Sequence, residues 1–147
     1  MTDRIEKTTT LKSSIDKVWD AITDHEKFGE WFKVKLYNPF VEGEMTKGHI
    51  THPEAEGMVW ESVTRDIRPK TYFSFVWYHD VTLPGAAEKR CEMLVEFILK
   101  PMNGGTHLTI IESGFDAVPQ PESETIRTRN DGGWAEQIRN IEAYVDG

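Results

Sequence analysis

Cysteine is nearly missing from this chain. Cys91 stands alone, so no internal disulfide can form, and no Cys/His set has the spacing of a structural zinc site. Long apolar runs are missing as well: nothing approaches the roughly 20 residues of a membrane-spanning helix. The opening Met1-Thr2-Asp3-Arg4-Ile5-Glu6-Lys7 is too polar for a secretory signal. A basic stripe is also lacking. With 17 Lys and Arg against 25 Asp and Glu, the net charge is -8, a field that repels a phosphate backbone. There is no Gly-x-Ser-x-Gly elbow for nucleophilic catalysis, and no repeat, low-complexity tract or interdomain linker. The expectation is a soluble cytoplasmic protein with no nucleic-acid partner and no membrane span. The five histidines are His25, His49, His52, His79 and His107. His49 and His52 have opposite parity on a strand, so no converging ligand set forms. No metal and no cofactor are expected, and Cys91, set among apolar positions, reads as an inert core thiol.

What is present is aromatic bulk and pattern. The length of 147 residues suits one domain, 1–147. Five Trp, seven Phe and four Tyr supply much of the apolar volume, and large rings can line a cavity as well as fill a core. A first strand is expected over Arg4 to Leu11, with Ile5, Lys7, Thr9 and Leu11 on one face; its partly polar pattern suits a sheet edge. Ser13 or Ser14 then caps a helix, Ser13-x-x-Asp16 having the form of a capping box, and Ile15, Val18, Trp19 and Ile22 form its apolar stripe. A second short helix is expected over Glu26 to Phe32, interrupted around Gly29.

Strands are expected near Lys35–Pro39, Glu44–His52, Met58–Ile67, Tyr72–His79, Arg90–Pro101 and Thr106–Phe115. Gly43, Gly57, Pro69, Pro84-Gly85 and Asn103-Gly104-Gly105 punctuate them. Short turns between successive strands predict an antiparallel meander. The chain closes with one amphipathic helix after Pro119 and Pro121, carrying Ile126, Trp134, Ile138, Ile141 and Val145 on one face. Gly132-Gly133 interrupts it, which suggests a kink or a close approach to sheet backbone or ligand. The fold class is therefore α+β: a curved antiparallel sheet of six to seven strands gripping a long C-terminal helix, with two short helices after the first strand.

Strand parity selects the inward residues. Phe73, Phe75, Trp77 and His79 share the more apolar face of their strand, as do Cys91, Met93, Val95, Phe97 and Leu99 of the next. In the last strand Leu108, Ile110 and Glu112 face in, although the apolar Ile111 on the opposite face makes a one-residue slip the alternative. Glu112 then points to the concave side, where a carboxylate needs partners. Arg129, Asn130, Trp134, His52 and His79 are the candidates. Alternatively, Glu112 reaches solvent at the strand end, or accepts structural hydrogen bonds from the helix.

Several stretches stand out in order. They are Val18-Trp19-Asp20-Ala21-Ile22-Thr23-Asp24 with Phe28-Gly29-Glu30-Trp31-Phe32; Gly48-His49-Ile50-Thr51-His52-Pro53; and Ile67-Arg68-Pro69 with Phe73-Ser74-Phe75-Val76-Trp77. Then come Gly104-Gly105-Thr106-His107-Leu108-Thr109, Glu112-Ser113-Gly114-Phe115 and Gly132-Gly133-Trp134. Together they resemble the START-like, or SRPBCC, helix-grip superfamily, and most closely the branch named after the C-terminal domain of the activator of Hsp90 ATPase. The resemblance implies a mostly apolar cavity between sheet and helix. With the helix-on-curved-sheet order and the inward rings, the expectation is a START-like domain binding a small hydrophobic or aromatic molecule. Expected ligand-binding residues are Trp31, Phe32, His52, Trp60, Phe75, Trp77, His79, Glu112, Asn130 and Trp134. An alternative is a cavity-based acid/base enzyme of cyclase or dehydratase type with Glu112 as acid or base. A co-chaperone-like role comes last, because the activator's chaperone-binding N-terminal domain has no counterpart in these residues. A homodimer is compatible with the outward Tyr72, Val76 and Tyr78.

Overall fold

A computed structural model describes residues 4–82 and 88–147; the Pro84-Gly85 turn lies outside them. Period-two alternation builds seven strands: β1 (Arg4–Leu11), β2 (Val34–Leu36), β3 (Met45–Ile50), β4 (Val59–Arg68), β5 (Tyr72–Thr82), β6 (Glu88–Met102) and β7 (Gly105–Ser113). They form one antiparallel sheet in the order β1-β7-β6-β5-β4-β3-β2. The meander from β2 to β7 follows from the short turns, and β1 sits at one edge beside β7, as its mixed pattern indicated.

Two short helices, α1 (Ile15–Thr23) and α2 (His25–Phe32), lead from β1 to β2. Ser14 rather than Ser13 caps α1, accepting from the Lys17 amide at 3.3 Å. The capping box read at Ser13 is thus corrected. Ser13 instead donates to Asp146 at 2.7 Å, so a tertiary contact takes the side chain that a local capping box would use. Asp24 caps α2 through the amides of Glu26 and Lys27. Nor does Gly29 interrupt α2. An added Cβ there would lie 2.3 Å from the Val34 carbonyl oxygen, so glycine is needed because the chain doubles back tightly into β2. Lys33, at φ 71, makes that reversal. β2 is shorter than expected because the Asn38 side chain bonds Met45 and Lys47 where the backbone ladder would have continued.

The long helix α3 (Glu122–Asp146) crosses the concave face without a break. Ile126, Trp134, Ile141 and Val145 are buried, with Ile138 packed against the core. Cβ atoms added at Gly132 or Gly133 would meet nothing within 4 Å, which overturns the expected close approach to sheet backbone.

The inward faces of the strands match the expected parity. Phe73, Phe75, Met93, Val95, Phe97, Leu108 and Ile110 are all buried. Ile111 is buried too, but alternation carries it on the opposite face from Glu112, which pairs with Val95 in register. The centre of the core is aromatic. Phe28 of α2 lies 4.9 Å from the Trp31 ring, 5.0 Å from Phe32, 5.4 Å from Phe40 and 6.3 Å from Phe75. These rings fill the middle of the space between sheet and helix with offset and edge-to-face contacts. Open volume lies at its margins.

Candidate functional site

At one margin a groove of about 470 Å³ opens between α3, the end of α2 and the connection between β3 and β4. Its apolar walls are Phe32, Ile50, Ala55, Met58, Trp77 and Trp134; Arg129, Asn130, Glu136, Gln137, His52 and Glu54 supply its polar parts. Gly133 lies on the α3 side, where its missing side chain leaves the groove open. The Trp77 and Trp134 rings stand 5.7 Å apart at 36°, and Phe32 packs 5.9 Å from Trp134.

Most polar lining groups are already engaged. His52 lies 3.4 Å from Glu136 and accepts from the Glu54 amide at 3.1 Å. Gln137 donates to the Phe32 carbonyl at 2.9 Å and accepts from Asn140 at 3.0 Å. These bonds hold the mouth of the groove while leaving its indole walls as the main surface offered to a ligand.

Behind that wall sits Glu112, with 0 % of its surface exposed. Trp77 Nε1 donates to Oε2 at 2.7 Å and Trp134 Nε1 to Oε1 at 2.9 Å. Asn130 Nδ2 lies 3.1 and 3.2 Å from the two oxygens. The His79 ring nitrogen is 3.9 Å from Oε2 and 3.2 Å from Asn130. The carboxylate thus ties β7 to β5 and to α3 through neutral donors, with an imidazole at the edge of the cluster. Three of its expected partners, Asn130, Trp134 and His79, are there; His52 and Arg129 are not among its bonded neighbours. Trp77 is a partner the sequence reading did not propose.

The ten expected site residues therefore divide. Phe32, His52, Trp77, Asn130 and Trp134 line the groove. His79 lines a neighbouring cavity of about 350 Å³ with Asp80, Thr125, Ile126 and Arg129. Trp31 donates to the Ala21 carbonyl at 2.7 Å, Trp60 to the Ser62 hydroxyl at 2.9 Å, and Phe75 is wholly enclosed; all three are core rings. Sequence reasoning missed Glu136 and Gln137, although they follow Asn130 and Gly133 on α3 at helical spacing. Ile50 was legible from its parity with Gly48. Glu54 and Ala55 lie in a connection with no periodic signal, and Met58, expected to begin a strand, falls just before β4. Among the described residues, no group of three His, Cys, Asp or Glu side chains is placed to hold a metal ion. No helix of the described residues is long and apolar enough to cross a membrane.

The model of one family, described as "Activator of Hsp90 ATPase homolog 1-like protein", matches residues 12–146. The chain belongs to that family. Solved structures share the fold of this family member at low identity. A Mesorhizobium loti protein is 21 % identical, with a TM-score of 0.78 over 97 % of this chain and 96 % of that one. DynU16, a protein of the dynemicin biosynthetic locus, is 20 % identical with a TM-score of 0.75. This chain is covered to 99 % in that match and spans 48 % of DynU16. The Aha1 dimer from Colwellia psychrerythraea gives 14 % identity and a TM-score of 0.71, with 99 % and 96 % of the two chains covered. At such identities the likeness establishes the START-like helix-grip architecture and no more. No curated protein matches the chain.

Proposed function

We propose that this family member acts as a START-like domain over residues 1–147, binding a small apolar or aromatic molecule in the groove beside α3. The observation that carries the reading is the groove itself: about 470 Å³, walled by Phe32, Ile50, Trp77 and Trp134 at the margin of a densely ringed core. That volume falls within the roughly 300–1,000 Å³ usual for small-molecule sites. Polar groups at its rim would orient a ligand, and the indole wall would take a flat one. The resemblance to a protein of the dynemicin biosynthetic locus is in keeping with a small organic partner.

Titration with naphthalene and with a short-chain fatty acid, followed by tryptophan fluorescence and by backbone and indole NMR shifts, tests the reading. The expected result is a saturable shift confined to Trp77, Trp134, Ile50 and the turn after it. Shifts mapping elsewhere, or none at any attainable concentration, would refute it. An acid/base enzyme draws less support, since Glu112 lies behind the groove wall with both oxygens already accepting hydrogen bonds. A co-chaperone role rests on the family's description alone. The Colwellia neighbour is solved as a dimer, and Tyr72 and Tyr78 stand half-buried on the outer face of the sheet here. We extend the proposal to a homodimer, which light scattering across protein concentrations would show as a doubled mass.

A further inference from the structure

Glu112 presents a physical problem. Enclosing a carboxylate is costly, and its donors are two indoles and an amide, with an imidazole nitrogen 3.9 Å away. For stability alone, an apolar cluster replacing the carboxylate and its donors together would serve the core about as well, whereas an apolar side chain at position 112 by itself would leave those donors unpaired. What it could not do is hold two indole N–H groups at once. An indole has one donor and no acceptor. Trp77 comes from β5 and Trp134 from α3, and the carboxylate between them gives each indole an oxygen of its own.

We infer that Glu112 is a positioning residue that sets the selectivity of the groove: by drawing the N–H edges of Trp77 and Trp134 inward, it leaves the groove walls as hydrocarbon ring surface. The inference rests on the groove reading above and deepens it. With both donors committed behind the wall, a ligand meets the rings without meeting a hydrogen-bond donor from them. Asn130 is held in the same way, its amide nitrogen shared between the Glu112 oxygens and His79. The walls then select by flatness and shape. A ligand that sets a carbonyl against the indole wall leaves that carbonyl unpaired, whereas a plain aromatic loses nothing there. In the absence of the carboxylate, an indole N–H left buried without an acceptor would favour rotation toward the groove, and the preference would reverse.

The test uses the full chain, with Glu112→Leu and Glu112→Gln, and a matched pair of probes: naphthalene and its methyl ketone, 2-acetonaphthone. Leucine removes both acceptors. Glutamine keeps one oxygen and sets an NH₂ donor against the other indole, and it carries the experiment if the leucine variant does not fold. Two readouts are taken. The first is the indole ¹⁵N–¹H spectrum. The resonances of Trp77 and Trp134 should move in both variants, while that of Trp31, bonded to the Ala21 carbonyl, stays in place. The second is the ratio of ketone to naphthalene affinity, which should rise about tenfold in Glu112→Leu and by a smaller factor in Glu112→Gln. A purely structural role would weaken both probes together and leave the ratio unchanged, and that result overturns the inference. Unmoved Trp77 and Trp134 resonances also overturn it. If neither probe binds the unaltered protein, the groove reading falls and selectivity with it. The indole spectrum would still report separately whether Glu112 orients the two rings.

Discussion

Gly133 offers a perturbation in which binding and stability should move in opposite directions. It occupies the twelfth position of a 25-residue helix, where glycine is a poor choice for the backbone, disfavoured by about 1 kcal/mol relative to alanine. Its Cβ position is open: nothing lies within 4 Å of it, and the residue lines the groove. Gly133→Ala should therefore stabilise the protein by roughly 1 kcal/mol, and Gly133→Leu by slightly less. For a chain of this length that corresponds to a rise of about 2–4 °C in Tm. The alanine methyl protrudes only slightly into the groove, and an aromatic probe should lose no more than about threefold in affinity, roughly 0.6 kcal/mol. The leucine side chain projects into the space beside Trp77 and Trp134, so affinity should drop at least about tenfold, or 1.4 kcal/mol. Differential scanning calorimetry supplies the first quantity and a naphthalene titration the second. A Gly133→Leu protein that is more stable yet binds as the unaltered chain does would refute the groove as the binding site. A Gly133→Ala protein that melts earlier would refute the open space beside α3.

Gly29 makes the opposite prediction from the same residue type. Gly29→Ala places a methyl against the Val34 carbonyl and should cost about 1–3 kcal/mol despite alanine's better helix propensity, measured by urea unfolding. Phe28→Ala removes the ring about which the aromatic core is arranged and should lower stability by about 3–5 kcal/mol in the same assay. Asp146 tests pH dependence. Burial raises its carboxyl pKa, but the bonds from the Lys12 amide and from the Ser13 hydroxyl and amide outweigh that and hold it below the ordinary value. A lowered folded-state pKa contributes stability above the unfolded value, and that contribution is lost as pH falls through the folded one. Asp146→Asn should cost about 1–2 kcal/mol at pH 7, discounted for its partial exposure. The difference in Tm from the unaltered protein should shrink below about pH 4.

Much of this architecture was legible because the strands alternate cleanly. Phe73, Phe75 and Trp77 fixed the inward face of β5, and the same parity carried Glu112 inward on β7 despite the competing signal of Ile111. The helix face from Ile126 to Val145 was legible for the same reason. What escaped depends on contacts distant in sequence. Nothing near Ser13 reveals that Asp146 will claim its hydroxyl, and nothing near Gly29 reveals the carbonyl of Val34 pressing on it. Aromatic type alone could not separate wall from filling. Trp31 and Trp60 bond inward to Ala21 and Ser62, whereas Trp77 and Trp134 share the carboxylate at the groove margin. The difference lies in where each indole finds its acceptor, which periodicity does not encode.

The clasp between Ser13 and Asp146 joins residues 133 positions apart, and β1 reaches across to pair with β7. The meander from β2 to β7 can grow hairpin by hairpin, but seating α3 against β1 requires closing nearly the whole chain into one loop. Contacts of such long range slow folding, because the entropy of closure is lost before the contact is made. The groove walls come from both parts, Trp77 from the meander and Trp134 from the closing helix, so the groove exists only once the last stage is complete. A molecule held there gains nothing from partly assembled chains and stabilises the native state by its full mass-action term, about 2.7 kcal/mol at one hundred times its Kd. Loading the groove should therefore slow the detachment of α3, and hydrogen exchange along α3 would register an occupant as added protection there.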